Sequence, residues 1–477
     1  MLFNSLRYLI FFPVVVMIYY LLRPKYRWVL LLAASYYFYM CWRVEYIILI
    51  IVSSLTDYQV GIGIEETQNK KVRKLYLILS LVINLGLLFS FKYYNFFGGV
   101  LNDLFGRMNI MYSLPELKVL LPIGISFYTF QTLSYTIDVY RGKKKAERHL
   151  GIFAVYVAFF PQLVAGPIER STHLLPQFKE HHEFRYKNVS NGMKLILWGF
   201  FKKLVIADRA AFLVNMIYNN PHSYTGFPLW LATYLFAFQI YCDFSAYSDI
   251  ARGSARVMGY NLMRNFNAPY FAKNIGEFWR RWHISLSSWF KDYLYIPLGG
   301  NRVSKLRYYF NIMAVFLTSG LWHGANWTFI IWGGLHGIYH IITHQIINAP
   351  LNWLKRVHQN RIVRIIEIIL TFHLTCFAWI FFRSSTLKEA FYVVSHLLVD
   401  LKLEWSNNWG LNIANMVILI ASIIFLIVVQ LFQRQISIMN YMSRYPRYFR
   451  YLVYFGLIMV IITMGLFTED EFIYFQF

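Results

Sequence analysis

The 477-residue chain has the composition of a membrane protein. Hydrophobic residues make up 58% of it and charged residues 14%, whereas soluble domains carry about 25% charged residues. The mean hydropathy of +0.42 excludes a soluble globular protein. The formal net charge is +23, but Lys and Arg cluster in short loops between apolar runs, as insertion rules and anionic lipids require, and no nucleic-acid motif accompanies them. We therefore predict the lipid bilayer as a partner and no nucleic acid.

The apolar runs predict an all-α polytopic membrane protein. About 10 to 13 hydrophobic helices are expected, about 11 of them crossing the hydrocarbon layer fully, with interfacial and re-entrant helices among the rest. Strong runs lie near residues 6–22, 28–42, 44–60, 75–91, 119–140, 308–322, 326–345, 363–382, 411–432 and 450–467. Weaker runs lie at 150–165, 192–207 and 228–250.

Basic loops predict the orientation of the chain. Residues 23–27, 70–74, 141–145 and 444–450 are basic and are expected on the cytoplasmic side. Counting spans from them places both termini outside the cytoplasm. The count does not close between residues 150 and 250, so one weak run is expected to be re-entrant or interfacial, which is tolerated where protein buries the backbone. Pro161, Gly166 and Pro167 make residues 150–165 the candidate.

Residues 251–307 are amphipathic, with basic and aromatic side chains interleaved. Arg280 and Arg281 lie in this stretch beside Trp279 and Trp282. One interpretation is a pair of interfacial helices whose basic residues face lipid phosphates. The other is an electropositive cytoplasmic vestibule for an anionic acyl donor.

Several histidines lie inside apolar runs. His323 sits between two such runs, His336 and His340 lie in the following run, and His373 lies in another. A titratable side chain in a membrane segment is costly unless it faces a cavity or a partner. A histidine can also join helices by hydrogen bonding, but three separate positions favour a functional site. The three cysteines, Cys41, Cys242 and Cys376, show no CxxC spacing, so neither a disulfide framework nor a metal site is predicted.

The last six residues, 472–477, are too few to cross a membrane, and four of them are aromatic. They follow an acidic stretch at 468–471. They are expected to form either an interfacial anchor or a plug that turns back into the protein.

The chain resembles the membrane-bound O-acyltransferase family, in its alginate O-acetyltransferase branch. The resemblance runs from about residue 1 to residue 385 and rests on several separately spaced motifs. They are Leu121–Tyr128, Ala165–Ile168, Tyr241–Ala251, Asn265–Tyr270, Phe278–Ser287, Tyr295–Gly300, Trp322–Phe329 and Trp332–Gly337.

The resemblance implies one membrane domain over residues 1–477, with helices around a central tunnel. Its regions would be 1–140 with N-terminal helices, 141–307 with re-entrant helices and the basic face, 308–385 with the histidines, and 411–477 with the tyrosine motif. His323 stands at the family's catalytic histidine. His373 matches the second histidine of the teichoic acid D-alanyl transferases. Tyr474 matches the acyl-bearing tyrosine in the C-terminal motif of the small peptide of that system.

The family likeness and the residue chemistry together predict an O-acyltransferase of the bacterial cell membrane. An acetyl group would leave a cytoplasmic thioester, acetyl-CoA or acyl carrier protein, and an extracytoplasmic partner would pass it to a polysaccharide such as alginate, peptidoglycan or cellulose. No bound cofactor is expected. His323 would take the proton of Tyr474, whose phenol has a pKa of about 10 in water and needs such a base.

Other polar and aromatic residues have two interpretations each. Asn326 and the indoles of Trp322 and Trp327 either stabilise an oxyanion or line the tunnel, and His336 is expected at the tunnel. Asp243 either orients an imidazole or forms a structural ion pair with Arg280 or Arg281. The same holds for Asp249 and Glu277.

A proton-coupled transporter or channel with a histidine relay is the competing function. The sequence shows no internal repeat and no matched pair of broken helices, which argues against it.

Overall fold

The computed structural model describes residues 1–164, 166–347, 360–401, 412–433, 442, 444–467 and 472–473. Within these ranges the regular structure is helical and no strand occurs, which confirms the all-α prediction. Twenty α-helices occur in the described part of the chain. They are α1 (Leu6–Leu21), α2 (Arg27–Met40), α3 (Ile47–Glu66), α4 (Lys70–Leu88), α5 (Tyr94–Arg107), α6 (Ile125–Tyr140), α7 (Leu150–Ala158), α8 (Phe160–Leu163), α9 (Ser171–Gln177), α10 (Tyr186–Phe200), α11 (Asp208–Tyr218), α12 (Phe227–Val257), α13 (Ile275–Arg281), α14 (Ile284–Phe290), α15 (Lys305–His323), α16 (Trp327–Ile347), α17 (Arg361–Arg383), α18 (Leu387–His396), α19 (Ile413–Gln433) and α20 (Arg447–Met464).

Five helical segments among the described residues are long and apolar enough to cross a membrane. They are Ile47–Glu66, Lys70–Arg107, Arg361–Arg383, Ile413–Gln433 and Arg447–Met464, and α1 is a shorter apolar helix. The expected number of about eleven spans is not confirmed. One reason is that some apolar runs form short helices buried in protein. Helix α6, for example, is 16 residues long and buried except at Ile137 and Tyr140.

Contacts within the chain define two units. The first comprises Met1–Met193 with Ala251–Met263, and the second comprises Lys194–Ile250 with Arg264–Phe477.

The first unit contains a buried polar cluster that joins α3, α4 and α6. Asp57 Oδ1 accepts hydrogen bonds from the hydroxyls of Ser80 at 2.5 Å and Thr136 at 3.1 Å. Asp57 Oδ2 accepts from Asn84 Nδ2 at 2.9 Å, and the hydroxyl of Ser53 donates to Asn84 Oδ1 at 2.6 Å. Three helices are thus held together by hydrogen bonds that satisfy both carboxylate oxygens.

The run at 150–165, expected to be re-entrant, folds as the short helices α7 and α8, separated at Phe159. Nine helical residues extend only about 14 Å, so α7 cannot span the hydrocarbon layer. From Phe153 to Leu163 the segment is buried in protein. Gly124, with φ of +79°, lies against it, because a Cβ there would be 2.8 Å from the Leu163 carbonyl oxygen. The packing agrees with a non-spanning segment enclosed by protein.

In the second unit, glycines bring α15 and α16 into backbone contact. A Cβ at Gly320 would lie 2.3 Å from the Phe329 carbonyl oxygen, and one at Gly333 would lie 2.3 Å from the Phe316 carbonyl oxygen. Small residues allow such close helix packing. Residues three apart lie on the same face of a helix. Since Gly320 packs against α16, His323 also lies on the face of α15 that is next to α16.

The second unit also contains a π-helical segment, Phe201–Ala207, between α10 and α11. Such segments often mark functional positions. Here it buries two consecutive lysines. Lys202 pairs with Asp249 at 2.8 Å, and Lys203 pairs with Asp208 at 2.9 Å and Asp243 at 2.8 Å.

Candidate active site

His323 is the last residue of α15 and is only 3% exposed. Three aromatic rings surround its imidazole. The ring centroids of Trp322 and Trp332 each lie 5.0 Å away, and that of Phe382 lies 5.4 Å away. The predicted histidine is therefore buried in an aromatic environment that excludes water.

Helix α16 places a second histidine against Trp332. His336 is fully buried, and its ring centroid lies 5.0 Å from that of Trp332. Trp279 Nε1 donates a hydrogen bond to His336 Nδ1 at 3.3 Å. An accepting Nδ1 puts the proton of the neutral imidazole on Nε2. The two histidines thus contact one indole, and His336 is held as a single tautomer.

The indoles of Trp279, Trp282, Trp332 and Trp379 form a group that we call the tryptophan cluster. Trp332 lies 5.7 Å from both Trp279 and Trp379, and Trp379 lies 5.2 Å from Trp282, between ring centroids. Helices α13, α16 and α17 and the residue following α13 contribute these rings. The cluster encloses both histidines in one aromatic core.

Several buried N–H donors in this core face no acceptor among the residues that the structure describes. Among them are Trp282 Nε1, Trp332 Nε1 and His336 Nε2. A buried donor without an acceptor costs about 1–3 kcal/mol, and native proteins contain few of them. The arrangement suits a bound group with an oxygen acceptor.

The described residues at the C-terminus turn back into the protein. Phe472 is 1% exposed and packs on Tyr247 at 4.7 Å and Phe244 at 5.4 Å, between ring centroids. Ile473 is 3% exposed, and its backbone N–H donates to Asp243 Oδ2 at 2.7 Å. The plug interpretation is confirmed for these two residues. Tyr474 lies outside the described residues.

Ring contacts connect this C-terminal segment with His323. Phe244, which touches Phe472, lies 4.6 Å from the His283 ring, and His283 lies 6.1 Å from Trp322. Trp322 is the neighbour of His323. His283 is fully buried and has a φ of +43°, a left-handed conformation that costs a non-glycine residue about 1–3 kcal/mol and recurs at active sites.

Comparison with known proteins decides the family. The family model of the membrane-bound O-acyltransferases matches residues 149–384. A protein of Pseudomonas aeruginosa named probable alginate O-acetylase is 41% identical over 384 residues, covering 80% of this chain and 71% of that protein. The chain belongs to the membrane-bound O-acyltransferase family.

Two further relatives have different named activities. The peptidoglycan O-acetyltransferase of Helicobacter pylori is 37% identical over 396 residues, covering 77% of this chain and 73% of its own length. The teichoic acid D-alanyltransferase of Bacillus subtilis is 30% identical over 278 residues, covering 55% of this chain and 69% of that protein. The chain is thus an O-acyltransferase and a multi-pass membrane protein, as predicted.

The structure separates two predicted oxyanion donors of this acyltransferase from the histidine core. Asn326 Nδ2 donates to the Ser385 carbonyl at 2.9 Å, and its Oδ1 accepts from the backbone N–H of Thr328 at 3.0 Å. Trp327 is 49% exposed. The Asn326 side chain thus binds the start of α16. Among the predicted donors, Trp322 contacts His323, with the ring centroids 5.0 Å apart.

His373 does not join the histidine core of the acyltransferase. It is exposed on α17, and its Nδ1 is hydrogen-bonded to the Ile369 carbonyl oxygen at 2.7 Å. Its ring contacts Phe372 and Tyr234. The core residues from α17 are Trp379 and Phe382 instead.

The charged residues form pairs that sequence alone did not specify. Arg281 binds Glu277 at 2.6 Å, whereas Arg280 is exposed. Burial raises the pKa of Glu277, whereas the Lys273 N–H and the Arg281 guanidinium lower it by a larger amount. The pKa therefore lies below its usual value, and the carboxylate is ionised. The ion-pair interpretation is confirmed for Glu277.

Asp243 also forms an ion pair, but its partner is Lys203 rather than either arginine. Asp249 pairs with Lys202. Sequence reasoning missed Lys203, His283, Trp332 and Trp379 as site residues. The buried lysine pair inside an apolar run at 192–207 was the one signal that could have indicated Lys203.

Proposed function

We propose that this acyltransferase moves an acetyl group from a cytoplasmic thioester to a cell-envelope polysaccharide, with His323 as the base and Tyr474 as the first acceptor. The observation that carries the proposal is that buried His323 and buried Phe472 belong to one continuous series of ring contacts. Tyr474 follows Phe472 by two residues in the sequence, and we propose that its phenol reaches this region.

In the first step, the Tyr474 phenol attacks the thioester carbonyl. His323 accepts the phenol proton, the new C–O bond forms, the C–S bond breaks, and the proton passes to the departing thiolate. General base catalysis typically contributes about 10² to 10⁴-fold to the rate. The products are a tyrosyl ester and a free thiol.

In the second step, a polysaccharide hydroxyl attacks the tyrosyl ester on the extracytoplasmic side. The acetyl group passes to that hydroxyl, and Tyr474 regains its proton. An extracytoplasmic acetyltransferase partner is proposed to deliver the polysaccharide. The relatives named for alginate and peptidoglycan make an envelope polysaccharide the favoured acceptor.

The tryptophan cluster is proposed to bind the reacting carbonyl. Trp332 Nε1 and His336 Nε2 are buried N–H donors, and the rings of both His323 and His336 contact Trp332. Donors fixed in a water-poor site stabilise the oxygen of a tetrahedral intermediate strongly. They replace Asn326 and Trp327 in this role, and Trp322 is assigned to the wall beside His323.

The donor is proposed to approach from the cytoplasm through the predicted tunnel. Arg280 is exposed, whereas Arg281 is neutralised by Glu277, so Arg280 is the arginine suited to bind an anionic acetyl-CoA or an acidic acyl carrier protein. Charge bias puts both termini outside, as the second step requires of Tyr474. No step is assigned to His373.

Purified protein tests the enzymatic proposal directly. Detergent-solubilised protein is incubated with acetyl-CoA and, separately, with acetyl-acyl carrier protein, and free thiol is measured with and without a soluble hydroxyl acceptor. We expect acceptor-dependent thiol release from one donor, because the chain itself cleaves the thioester. A transporter would release none above the buffer rate, and that result would refute the proposal.

The acyl-carrier role is tested by Tyr474→Phe, which removes one oxygen and almost no volume. We expect O-acetylation of the polymer to fall at least a hundredfold while the membrane content of the protein stays normal. Acetylation at the parental level would show that Tyr474 is an anchor only.

A further inference from the structure

The C-terminal segment comprises residues 472–477. A buried ion pair contacts its described part through the backbone N–H of Ile473. Asp243 Oδ1 lies 2.8 Å from Lys203 Nζ, and Asp243 Oδ2 accepts the N–H of Ile473 at 2.7 Å. Asp243 and Lys203 are 3% and 6% exposed. The two oxygens of this carboxylate therefore have separate partners. Lys203 Nζ binds one oxygen, and the backbone N–H of Ile473 binds the other.

Stability alone is a weak reason for such an arrangement. Burying an ion pair removes two charges from water, and replacement by apolar residues is often neutral or stabilising. Lys203 already has a second carboxylate, Asp208, at 2.9 Å. Asp243 thus binds Lys203 and, through its other oxygen, the backbone N–H of Ile473.

The same part of the protein binds the chain just before the C-terminal segment. Arg209 Nη2 donates to the Met464 carbonyl oxygen at 2.6 Å. The backbone N–H of Leu466 donates to the Leu204 carbonyl oxygen at 3.0 Å. The π-helical segment and the start of α11 thus hold residues 464–466, and Asp243 holds residue 473.

We propose that Asp243, paired with Lys203, is a positioning residue that sets how deeply the C-terminal segment enters the acyltransferase. It acts through the Ile473 N–H and so fixes the reach of Tyr474, the next residue, towards His323. This inference rests on the proposed acyl-carrier function of Tyr474. Recognition through a backbone atom tolerates other side chains at position 473 but requires the N–H.

The first test removes the N–H. Ile473→Pro deletes the donor, whereas Ile473→Val keeps both the donor and an apolar side chain. We expect Ile473→Pro to lower kcat for acyl transfer and acyl ester on Tyr474 at least tenfold, with the KM for the thioester within twofold of the parent. Ile473→Val is expected to stay within twofold in all three quantities. Equal activity of the two variants would overturn the inference.

The second test removes the charge with a matched control on the same helix. Asp243→Asn breaks the pair with Lys203, and Asp249→Asn breaks the neighbouring pair with Lys202, also 2.8 Å long. We expect at least a tenfold loss of kcat for Asp243→Asn and less than a threefold loss for Asp249→Asn, both per molecule of folded protein. Equal losses would show a general effect of buried charge and contradict the inference.

A double variant separates positioning from a structural role. If Asp243 acts through the Ile473 N–H, Asp243→Ala with Ile473→Pro is no worse than the more damaged single variant, because each change removes the same hydrogen bond. A loss of kcat in the double variant equal to the product of the two single losses would contradict this role. The control on the proposed function is Tyr474→Phe. If Tyr474→Phe is inactive while Ile473→Pro and Asp243→Asn work normally, only the positioning role fails. If Tyr474→Phe works normally, the carrier function itself fails.

Discussion

The two units each bury polar groups, but the hydrogen bonding of these groups differs. Around Asp57 in the first unit, both carboxylate oxygens accept hydrogen bonds from neighbouring helices. Around His323 in the second unit, three N–H donors, on Trp282, Trp332 and His336, have no acceptor among the described residues. Both clusters are buried but differ in hydrogen bonding: the first holds helices together, and the second is the core in which we propose that the acyl group reacts.

The physical basis of the difference is the cost of an unmet hydrogen bond. A satisfied polar network fixes the packing of its helices, whereas each unmet donor costs about 1–3 kcal/mol. A protein that retains several of them in one core gives up stability, and such departures concentrate at functional sites. Substitutions in the Asp57 cluster should thus affect folding, and those in the histidine core should affect the reaction.

His323→Ala should have the largest effect on activity. Loss of the base is expected to lower acyl transfer about 10² to 10⁴-fold, while the unfolding temperature in detergent stays near that of the parent. His181→Ala, which truncates an exposed loop histidine, is the matched control. Parental activity in His323→Ala would show that the histidine core is not catalytic and so does not differ in function from the Asp57 cluster.

Trp332→Phe should have the next largest effect. The change removes the buried Nε1 donor and keeps an aromatic ring between the two histidines. Loss of one hydrogen bond to the reacting oxygen is expected to lower kcat about tenfold. Steady-state kinetics with the thioester measure this. An unchanged kcat would show that the donor does not meet the reacting group.

His373→Ala should have a small effect. The ring is exposed and its Nδ1 is already bonded to the backbone of its own helix, so we expect polymer O-acetylation within about threefold of the parent. A loss comparable to that of His323→Ala would restore His373 to the catalytic role that the family resemblance implied.

Asp57→Asn should have the smallest effect on activity and a clear effect on stability. The new amide nitrogen replaces one carboxylate oxygen, so it faces either the Asn84 amide or the Ser80 and Thr136 hydroxyls, which now donate to that oxygen. We expect unfolding free energy to fall by about 1–3 kcal/mol and activity per folded molecule to stay within about twofold. Thermal unfolding and acyl transfer are measured on the same sample. Normal stability together with reduced activity would contradict the structural role of the Asp57 cluster.

Much of the framework could be predicted from the sequence. Composition indicated the all-helical membrane class, and the motifs indicated His323 and His336, whose rings both contact Trp332 in the structure. The number of spans could not be predicted, because hydropathy does not distinguish a lipid-facing helix from one such as α6 that protein encloses.

The missed features have specific physical causes. Asn326 and Trp327 are close to His323 in sequence, but α15 ends at His323 and the extended Gly324 leads the chain away. The contact between Asp243 and Ile473 joins residues 230 positions apart. No periodicity reports such a pairing, and no local signal indicates that Lys203 rather than an arginine neutralises Asp243.

Mass spectrometry of the C-terminal peptide tests the central claim most directly. Purified parent protein and His323→Ala are quenched after incubation with the thioester and without a polysaccharide acceptor. We predict an acetyl ester on Tyr474 in the parent and at least a hundredfold less in His323→Ala. A parent protein that transfers acetyl groups to an acceptor while Tyr474 never becomes acetylated would contradict the account.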